Sequence, residues 1–409
     1  MNIRQYNPER DLPAAQRIWL ECGWVDRDHT APLGPYLAQS RAWVAEVHGE
    51  AECLVTTSPG SILHLREDLP LSCVTCVTTS RITRKQGLAS RTLARALDAD
   101  ATGGELVSAL GMFEQGFYDQ LGFGSGAYEH WIHFDPAALK LAARPRIPVR
   151  LTAEHAEEMH ACRLRRLRRH GAVNLHRASE TGGETEWSPD GFGLGCRDPD
   201  SGELTHCLWA SARNAEDGPY RISFMAYRTC GQMLELLALI RSWGEQVRQV
   251  TMGEPPGIQF QDLLVQPLKR RQIAEKARFE FGIHAIACFQ YRMLDLAGCL
   301  ARTHLPGPGV AFNLELEDPV ERFLPPDSGW RGIGGEWRVE LGPESAARRG
   351  SAPGRPTLRA SVGAFTRLWL GVASASALAA TDNLEGPEAL LAALDEAVRL
   401  PVPRPDWDF

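Results

Sequence analysis

The sequence lacks several features that assign proteins to common classes. No stretch approaches the roughly 20 apolar residues of a membrane-spanning helix, and the opening residues Met1–Gln5 contain no apolar segment typical of a signal peptide. HExxH, GxGxxG and the glycine–lysine–serine/threonine of a P-loop are also missing. These absences argue against a membrane protein, a zinc protease and an enzyme with a nucleotide P-loop or a dinucleotide fingerprint. They predict a soluble protein of the cytoplasm.

Cysteine offers little sign of redox or metal chemistry. The ten cysteines are scattered along 409 residues, which is typical of small buried residues in a reducing compartment. Cys73 and Cys76 form a CxxC pair inside a predicted strand, but neither a second pair nor clustered histidines follow at zinc spacing. We predict a structural role for both cysteines, with a redox or metal role as the alternative, and no metal site.

Acidic residues outnumber basic ones, 51 to 44. A net charge of −7 argues against non-specific nucleic-acid binding and suits a cationic, amine-bearing substrate. The one concentrated basic run is Arg163–His170, within a predicted helix over residues 153–170. Its leucines would share one helical face, which predicts a solvated face or a subunit contact for the arginines. Nucleic-acid binding is the weaker alternative because no aromatic residues are interleaved.

What the sequence does contain is a strand, a basic turn and a helix in residues 74–97. The β-branched run Val74–Thr79 predicts the strand, and apolar residues on one face predict the helix from Leu88 onward. Between them, Arg84–Ala89 offers successive N–H groups, a residue without a Cβ at Gly87 and the positive end of a helix dipole. These are the ingredients of a pyrophosphate cradle. A surface turn that is merely basic is the alternative.

This turn and a second motif resemble the GNAT N-acetyltransferases. Arg84-x-x-Gly87-x-Ala89 is similar to their acetyl-CoA motif, Arg/Gln-x-x-Gly-x-Gly/Ala. A predicted strand, Glu105–Met112, follows, and Phe117–Phe123 then resembles the GNAT segment Phe-Tyr-x-x-x-Gly-Phe. The tyrosine of that segment is the usual general acid, so the resemblance implies this role for Tyr118, on a predicted helix. A core aromatic residue is the alternative.

The resemblance also implies a set of cofactor contacts. The backbone of the strand end would pair with the pantetheine arm of acetyl-CoA, and the turn would bind its pyrophosphate. The residues implied are Val77, Thr79, Arg84, Lys85, Gln86, Gly87, Leu88 and Ala89.

Three α/β units with mixed sheets are predicted. Residues 1–146 form the proposed GNAT domain, and the proline-containing segment Ala142–Pro148 reads as a linker. Residues 149–291 partly repeat this order, but their turn Tyr227–Gln232 lacks the cofactor motif. We interpret them as a degenerate second GNAT domain, with an unrelated α/β domain as the alternative. Residues 292–409 resemble a sterol-carrier domain, an interpretation prompted by Leu368–Ala375.

Tandem GNAT domains followed by a sterol-carrier-like domain resemble the Eis (enhanced intracellular survival) acetyltransferases over essentially the full chain. In that family the terminal carboxylate lies in the active site of the first domain and is implied to deprotonate the amine. The corresponding residue here is Phe409, with Trp407 and Phe409 as apolar anchors and a free tail as the alternative. The resemblance further implies acetyl-CoA as co-substrate, no metal, and a symmetric homo-oligomer such as a hexamer.

The sequence gives little information about the amine that would accept the acetyl group. Trp24, Asp26 and Asp28 follow the first predicted helix, where GNAT acceptor pockets usually form, and Asp408 adds charge beside the chain end. An aromatic ring with carboxylates suits an aminoglycoside- or polyamine-like cation, although these residues could equally be ordinary loop charges. We predict acetyl transfer to a primary amine of such a molecule or of lysine. The alternative is a lipid or small-molecule binding protein with a vestigial GNAT unit.

Overall fold

Strands and helices alternate along the chain. The computed structural model describes residues 2–188, 190–266 and 279–409. Up to residue 125 the elements are β1 (Asn2–Gln5), α1 (Pro8–Cys22), α2 (Leu33–Gln39), β2 (Arg41–Val47), β3 (Glu50–His64), β4 (Glu67–Thr79), α3 (Leu88–Thr102), β5 (Val107–Gly111) and β6 (Gly124–Ser125).

Residues 126–293 continue this alternation. Their elements are β7 (Glu129–Phe134), β8 (Val149–Leu151), α4 (Ala156–Leu164), β9 (Val173–Leu175), α5 (Ala178–Glu186), β10 (Gly191–Arg197), β11 (Leu204–Ala212), β12 (Tyr220–Ala226), α6 (Cys230–Ser242), β13 (Val250–Gly253), β14 (Gly282–Ile286) and β15 (Phe289–Met293).

The remaining residues form a third unit. Its elements are α7 (Leu296–Ala301), β16 (Val310–Glu317), β17 (Gly335–Leu341), β18 (Ala346–Arg349), β19 (Thr357–Ser361), α8 (Val362–Trp369), α9 (Ala375–Thr381), β20 (Leu384–Glu385) and α10 (Glu388–Ala397).

Local sequence signals explain the first helix. The Asn7 side chain accepts hydrogen bonds from the N–H groups of Glu9 and Arg10, which caps the start of α1. Gly23, with a φ of 73°, ends the helix in the left-handed conformation that glycine adopts readily. The first predicted helix, ahead of Trp24, is therefore confirmed as α1.

The described residues contain three sheets. The first has the order β1-β2-β3-β4-β5-β15-β6, with β9 paired to β3. The second has the order β14-β7-β13-β12-β11-β10-β8, and the third β18-β17-β16-β19-β20. Helices α1 and α3 pack on the first sheet and α6 on the second. This mixture of parallel and antiparallel pairs confirms the predicted α/β class.

Two strands cross the predicted domain boundaries. Strand β7 belongs to residues 1–146 in sequence, yet it pairs with β13 and β14 of the second sheet. Strand β15, at the end of the predicted second domain, pairs with β5 and β6 of the first sheet. The two N-terminal units therefore exchange strands, and boundaries near residues 146 and 291 do not separate their sheets.

Two predicted helices differ from the structure. The helix predicted over residues 153–170 ends as α4 at Leu164, and Arg166, just beyond it, turns into the protein interior. The segment containing Tyr118 is a series of turns before a short 3-10 helix, Asp119–Leu121. Gly116 and Gly122 have φ values of 102° and 81°, which a continuous α-helix does not allow.

The chain after α10 leaves the third unit as an extended tail, residues 398–409. The Val173 N–H donates to the Pro405 carbonyl at 2.8 Å, and the Arg404 N–H donates to the His170 carbonyl at 3.1 Å. The tail thus pairs with the segment that connects α4 to β9 and runs toward the first two units. Within the described ranges, no helix combines the length and apolar character needed to cross a membrane.

Candidate active site

The first sheet opens between β4 and β5. These strands pair in parallel only up to Val74, which lies opposite Leu110. Thr75 forms a bulge against β3 immediately afterwards, and β4 continues to Thr79. Among the described residues, no strand pairs with this edge of β4 beyond Val74, so the end that contains Val77 and Thr79 can accept an extended ligand as an added strand.

The predicted cradle lies where β4 leads into α3. Gly87 caps the helix with a φ of 75°, and no atom lies within 4 Å of the Cβ that another residue would carry there. In the described part of the chain, no acceptor occupies the N–H groups of Gly87, Leu88 or Ala89. Arg84 and Lys85 are exposed beside them. Free N–H groups, a helix N-terminus and two cations together suit a pyrophosphate.

Tyr118 lies beside the same opening. Its ring is 3% exposed and makes edge-to-face contacts with Phe117 at 4.9 Å and Phe123 at 6.2 Å. It packs in one apolar cluster with Leu88 at the start of α3 and Leu110 in β5. Burial raises the pKa of Tyr118 well above its ordinary value, so the phenol keeps its proton at neutral pH.

The end of the tail reaches β5. A Cβ on Gly111, the last residue of β5, would stand 2.6 Å from the main-chain oxygen of Phe409. The Phe409 ring packs on Phe289 with ring centroids 4.6 Å apart. Glycine at position 111 therefore leaves the space that this oxygen occupies, and Phe409 lies at the β5 side of the opening.

A buried arginine holds the tail in place. The Arg166 Nε donates to the Asp406 carboxylate at 2.8 Å, and Nη2 donates to the Asp406 carbonyl at 2.8 Å and to the Val173 carbonyl at 2.8 Å. Its Nη1 donates to Asn174 Oδ1 at 2.5 Å and to the Arg163 carbonyl at 3.1 Å. One guanidinium thus ties the tail to α4 and β9 by charge-assisted hydrogen bonds.

A tryptophan completes this anchor. Trp407 is 4% exposed, and the guanidinium of Arg163 lies 3.9 Å from its ring centroid. Arg163 also pairs with Glu184 at 2.6 Å. The prediction that the basic run is a solvated face or a subunit contact is therefore wrong for Arg163 and Arg166, because both are buried against the tail.

The tail lies at a second opening, between β12 and β13 of the second sheet. Strands β12 and β13 pair only at Tyr220 and Arg221, and a cavity of about 110 Å³ follows where they separate. Trp407 and Asp408 line this cavity together with Glu129. Burial, and then the charge of Asp408, raise the pKa of Glu129 to about 7. In the second unit, the tail therefore fills part of the opening between β12 and β13, which corresponds to the opening between β4 and β5 in the first unit.

Trp24 and Asp26 lie beyond the end of α1. The Trp24 ring is half exposed and packs edge-on against Trp19 at 5.3 Å. Asp26 is exposed, and a 2.6 Å hydrogen bond from His29 lowers its pKa. Trp187 of the second unit donates its indole N–H to the His29 carbonyl at 3.3 Å, so this loop also joins the two units.

The predicted site residues thus fall into two groups. The strand end, the turn and Tyr118 share one opening, and Phe409 reaches its β5 edge with Asp408 next in the chain. Within the described residues, no hydrogen bond or ring contact joins Trp24 or Asp26 to Tyr118 or Phe409. Sequence reasoning missed Glu129 and the two tail-binding arginines, and only the basic run gave any signal for the arginines.

Cys73 and Cys76 have the structural role predicted for them. Both are buried in β4 and carry free thiols. Burial raises the pKa of both thiols, that of Cys76 to about 12, so neither forms a reactive thiolate at neutral pH.

Comparison with known proteins places this geometry among known folds. A family model described as "Sterol carrier protein domain" matches residues 301–405. No curated protein matches the sequence. Among solved structures, a GCN5-related N-acetyltransferase from Anabaena variabilis is similar at a TM-score of 0.78 and 13% identity, with 100% of both chains covered.

Two further structures are similar over the same length. Eis1 from Mycobacterium abscessus has a TM-score of 0.75 and 15% identity with 100% of both chains covered, and a probable N-acyltransferase from Enterococcus faecalis has 0.77 and 16% with 98% of both covered. The chain has their fold. The predicted order of two GNAT units and a sterol-carrier domain, and the resemblance of this architecture to Eis-like proteins, are confirmed.

Proposed function

We propose that the protein is an acetyl-CoA-dependent N-acetyltransferase that acts on a primary amine of a cationic small molecule, aminoglycoside- or polyamine-like, or of lysine. One observation carries the proposal. The opening between β4 and β5 has an unpaired strand edge and a free helix N-terminus on one side, a buried phenol beside it, and the chain end at its other edge. Those are the groups that acyl transfer from a thioester requires.

The cofactor would lie along β4 and α3. The backbone of Val77 and Thr79 would pair with the pantetheine arm. The N–H groups of the turn, with Arg84 and Lys85, would bind the pyrophosphate. Holding donor and acceptor in line supplies much of the rate, up to roughly 7–11 kcal/mol in favourable cases.

The reaction needs one base and one acid. The amine loses a proton to the Phe409 carboxylate as its nitrogen attacks the thioester carbonyl. The C–N bond forms, the C–S bond breaks, and the leaving thiolate takes the proton of the Tyr118 phenol. The phenol of Tyr118 stays protonated at neutral pH, so it has a proton to donate when the thiolate develops, although burial also makes it a weaker acid than a free phenol.

The second unit would position the base. Arg166 and Trp407 fix the tail, so the conformational entropy of ordering the chain end is lost on folding and not in each catalytic cycle. On this proposal, the second GNAT unit, which lacks the cofactor motif, positions the chain end.

The direct test is an assay for free thiol. Purified protein is mixed with acetyl-CoA and a panel of polyamines, aminoglycosides and lysine derivatives, and release of CoA is followed by thiol titration. We expect amine-dependent release, with an acetylated product detected by mass spectrometry. Absence of both calorimetric binding of acetyl-CoA and thiol release with every amine of the panel would refute the proposal.

A second candidate function rests on the sterol-carrier match over residues 301–405. The third unit could bind a lipid while the first unit is inactive. Native mass spectrometry distinguishes the two, since a copurifying lipid together with no binding of acetyl-CoA would favour this candidate.

A further inference from the structure

Three side chains with different donor atoms meet in the second unit, on residues that the proposed reaction does not use. Cys196 on β10 lies opposite His206 on β11 in the strand pairing, and Glu235 on α6 lies against both. Their potential ligand atoms all lie within 4.8 Å of one another. Cys196 and His206 are buried, with His206 fully so.

Hydrogen bonding to Thr205 assigns the proton of His206 to Nδ1. The Thr205 hydroxyl donates its single proton to the Cys196 carbonyl at 2.9 Å. The same hydroxyl lies 2.9 Å from His206 Nδ1, so it can only accept there. Nδ1 is therefore the protonated nitrogen, and Nε2 presents a lone pair. Thr205 thus orients the ring as the outer partner of a metal-binding histidine does.

The lone pair of Nε2 faces a carboxylate. Nε2 of His206 lies 3.2 Å from Glu235 Oε2, which is an ion-pair distance, but the contact lacks the geometry of a good hydrogen bond. Two lone pairs at this distance repel unless a positive charge lies between them. The thiol Sγ of Cys196, 4.0 Å from Glu235 Oε1, adds a third donor on the same side.

Arg146 supports the carboxylate from outside. Its Nε donates to Glu235 Oε1 at 2.8 Å and its Nη2 to Oε2 at 3.1 Å. The Arg146 main-chain N–H also donates to Oε1 at 3.0 Å. Each carboxylate oxygen has two lone pairs, so one is left for a further partner on Oε2, the oxygen that His206 faces. Hydrogen-bonded carboxylates of this kind are usual among metal ligands, because the outer donor fixes their orientation.

We propose that Cys196, His206 and Glu235 bind a zinc ion. One thiolate, one imidazole and one carboxylate form a donor set that zinc prefers, and water would fill the fourth position. Tetrahedral ligands of zinc lie roughly 3.3–3.6 Å apart, so small side-chain movements close the present spacing. The ion would link two strands to α6 and stabilise the unit that holds the tail.

The test is a metal measurement on full-length protein without a histidine tag. We expect elemental analysis after zinc loading and desalting to find equimolar zinc, and Cys196→Ser and His206→Ala to lose it. Cys230→Ser, which changes the exposed cysteine at the start of α6, is the matched control and should keep it. No step of this test depends on acetyl transfer.

Cobalt keeps the test decisive if a variant fails to fold. Unmodified protein loaded with cobalt should show a thiolate-to-cobalt charge-transfer band, and Cys230→Ser should show the same band. Absence of bound metal in the unmodified protein would overturn the proposal, since a proton alone would then separate His206 from Glu235. Metal retained in both Cys196→Ser and His206→Ala would also overturn it, because the ion would be bound elsewhere.

Discussion

At the scale of single residues, the role proposed for Tyr118 gives the clearest kinetic test. Tyr118→Phe keeps the ring that packs against Phe117 and Phe123 and removes only the hydroxyl group, with its acidic proton. We expect kcat to fall roughly 10²-fold or more, the range for loss of a general acid, with the dissociation constant of acetyl-CoA unchanged. Tyr128→Phe, which alters an exposed tyrosine, is the control. A variant with the unmodified rate would remove Tyr118 from the mechanism.

Glu129 makes a prediction about pH and stability. Its pKa is raised from 4.5 to about 7, mainly by burial, so the folded protein binds this proton more tightly than the unfolded chain does. The stabilisation from that proton is complete below the unfolded pKa and is lost as the pH rises through about 7. We expect Glu129→Gln to raise the melting temperature at pH 8 relative to the unmodified protein.

The size of the Glu129 effect is bounded by the same shift. The pH-dependent contribution of Glu129 to the free energy of unfolding is at most about 3 kcal/mol. One pKa unit corresponds to about 1.36 kcal/mol, and part of the side chain meets solvent, which reduces the effect. The difference between Glu129→Gln and unmodified protein should shrink toward pH 5 in thermal unfolding. A difference that stays constant from pH 5 to pH 8 would contradict the raised pKa.

The sequence carries residue-level information unevenly. The motif around Gly87 and the strand before it could be predicted, because turn, cap and cradle involve neighbouring residues. The role of Arg166 could not, since its partner Asp406 lies 240 positions later. The cluster of Cys196, His206 and Glu235 was likewise missed, because its members lie far apart for a zinc motif and meet only through strand pairing and helix packing.

At the scale of elements, the turn between β4 and α3 is open to a direct binding test. Gly87→Glu places a carboxylate where the pyrophosphate would bind, and we expect acetyl-CoA affinity to fall at least about tenfold, or about 1.4 kcal/mol. Gly104→Glu is the matched control, because Gly104 also has a positive φ of 98° and open space around its Cβ position. Gly87→Ala separates backbone strain from charge. Equal calorimetric affinity in Gly87→Glu and Gly104→Glu would refute the cradle.

The position of a strand in the sequence is easier to predict than the strands with which it pairs. A local run of apolar and β-branched residues can indicate a strand, but such a run reads alike in any sheet. The sheet that each strand joins depends on contacts with distant strands: β7 contributes Ile132 and Phe134 to the core of the second unit. The exchange of strands between the two units is for this reason invisible in the local pattern.

At the scale of the whole molecule, the tail connects all three units. Trp407→Ala removes the ring that Arg163 covers, and loss of a buried tryptophan costs about 3–5 kcal/mol. We expect the tail to become sensitive to limited proteolysis and kcat to fall while the dissociation constant of acetyl-CoA is unchanged. Trp407→Phe should restore part of the rate, and Val402→Ala, at an exposed tail position, should behave as unmodified protein. A protease-sensitive tail with an unchanged kcat would show that the tail plays no part in the reaction.

The most direct measurement compares proteins extended at opposite ends. A C-terminal tag turns the Phe409 carboxylate into an amide and leaves Tyr118 and the turn at Gly87 in place. Acetyl transfer is measured for the N-terminally and C-terminally tagged forms, with intact mass verifying each end and calorimetry verifying acetyl-CoA binding. We expect equal cofactor affinity in both forms and transfer only in the form whose Phe409 carboxylate is free. Equal transfer rates in the two forms would contradict the proposed base.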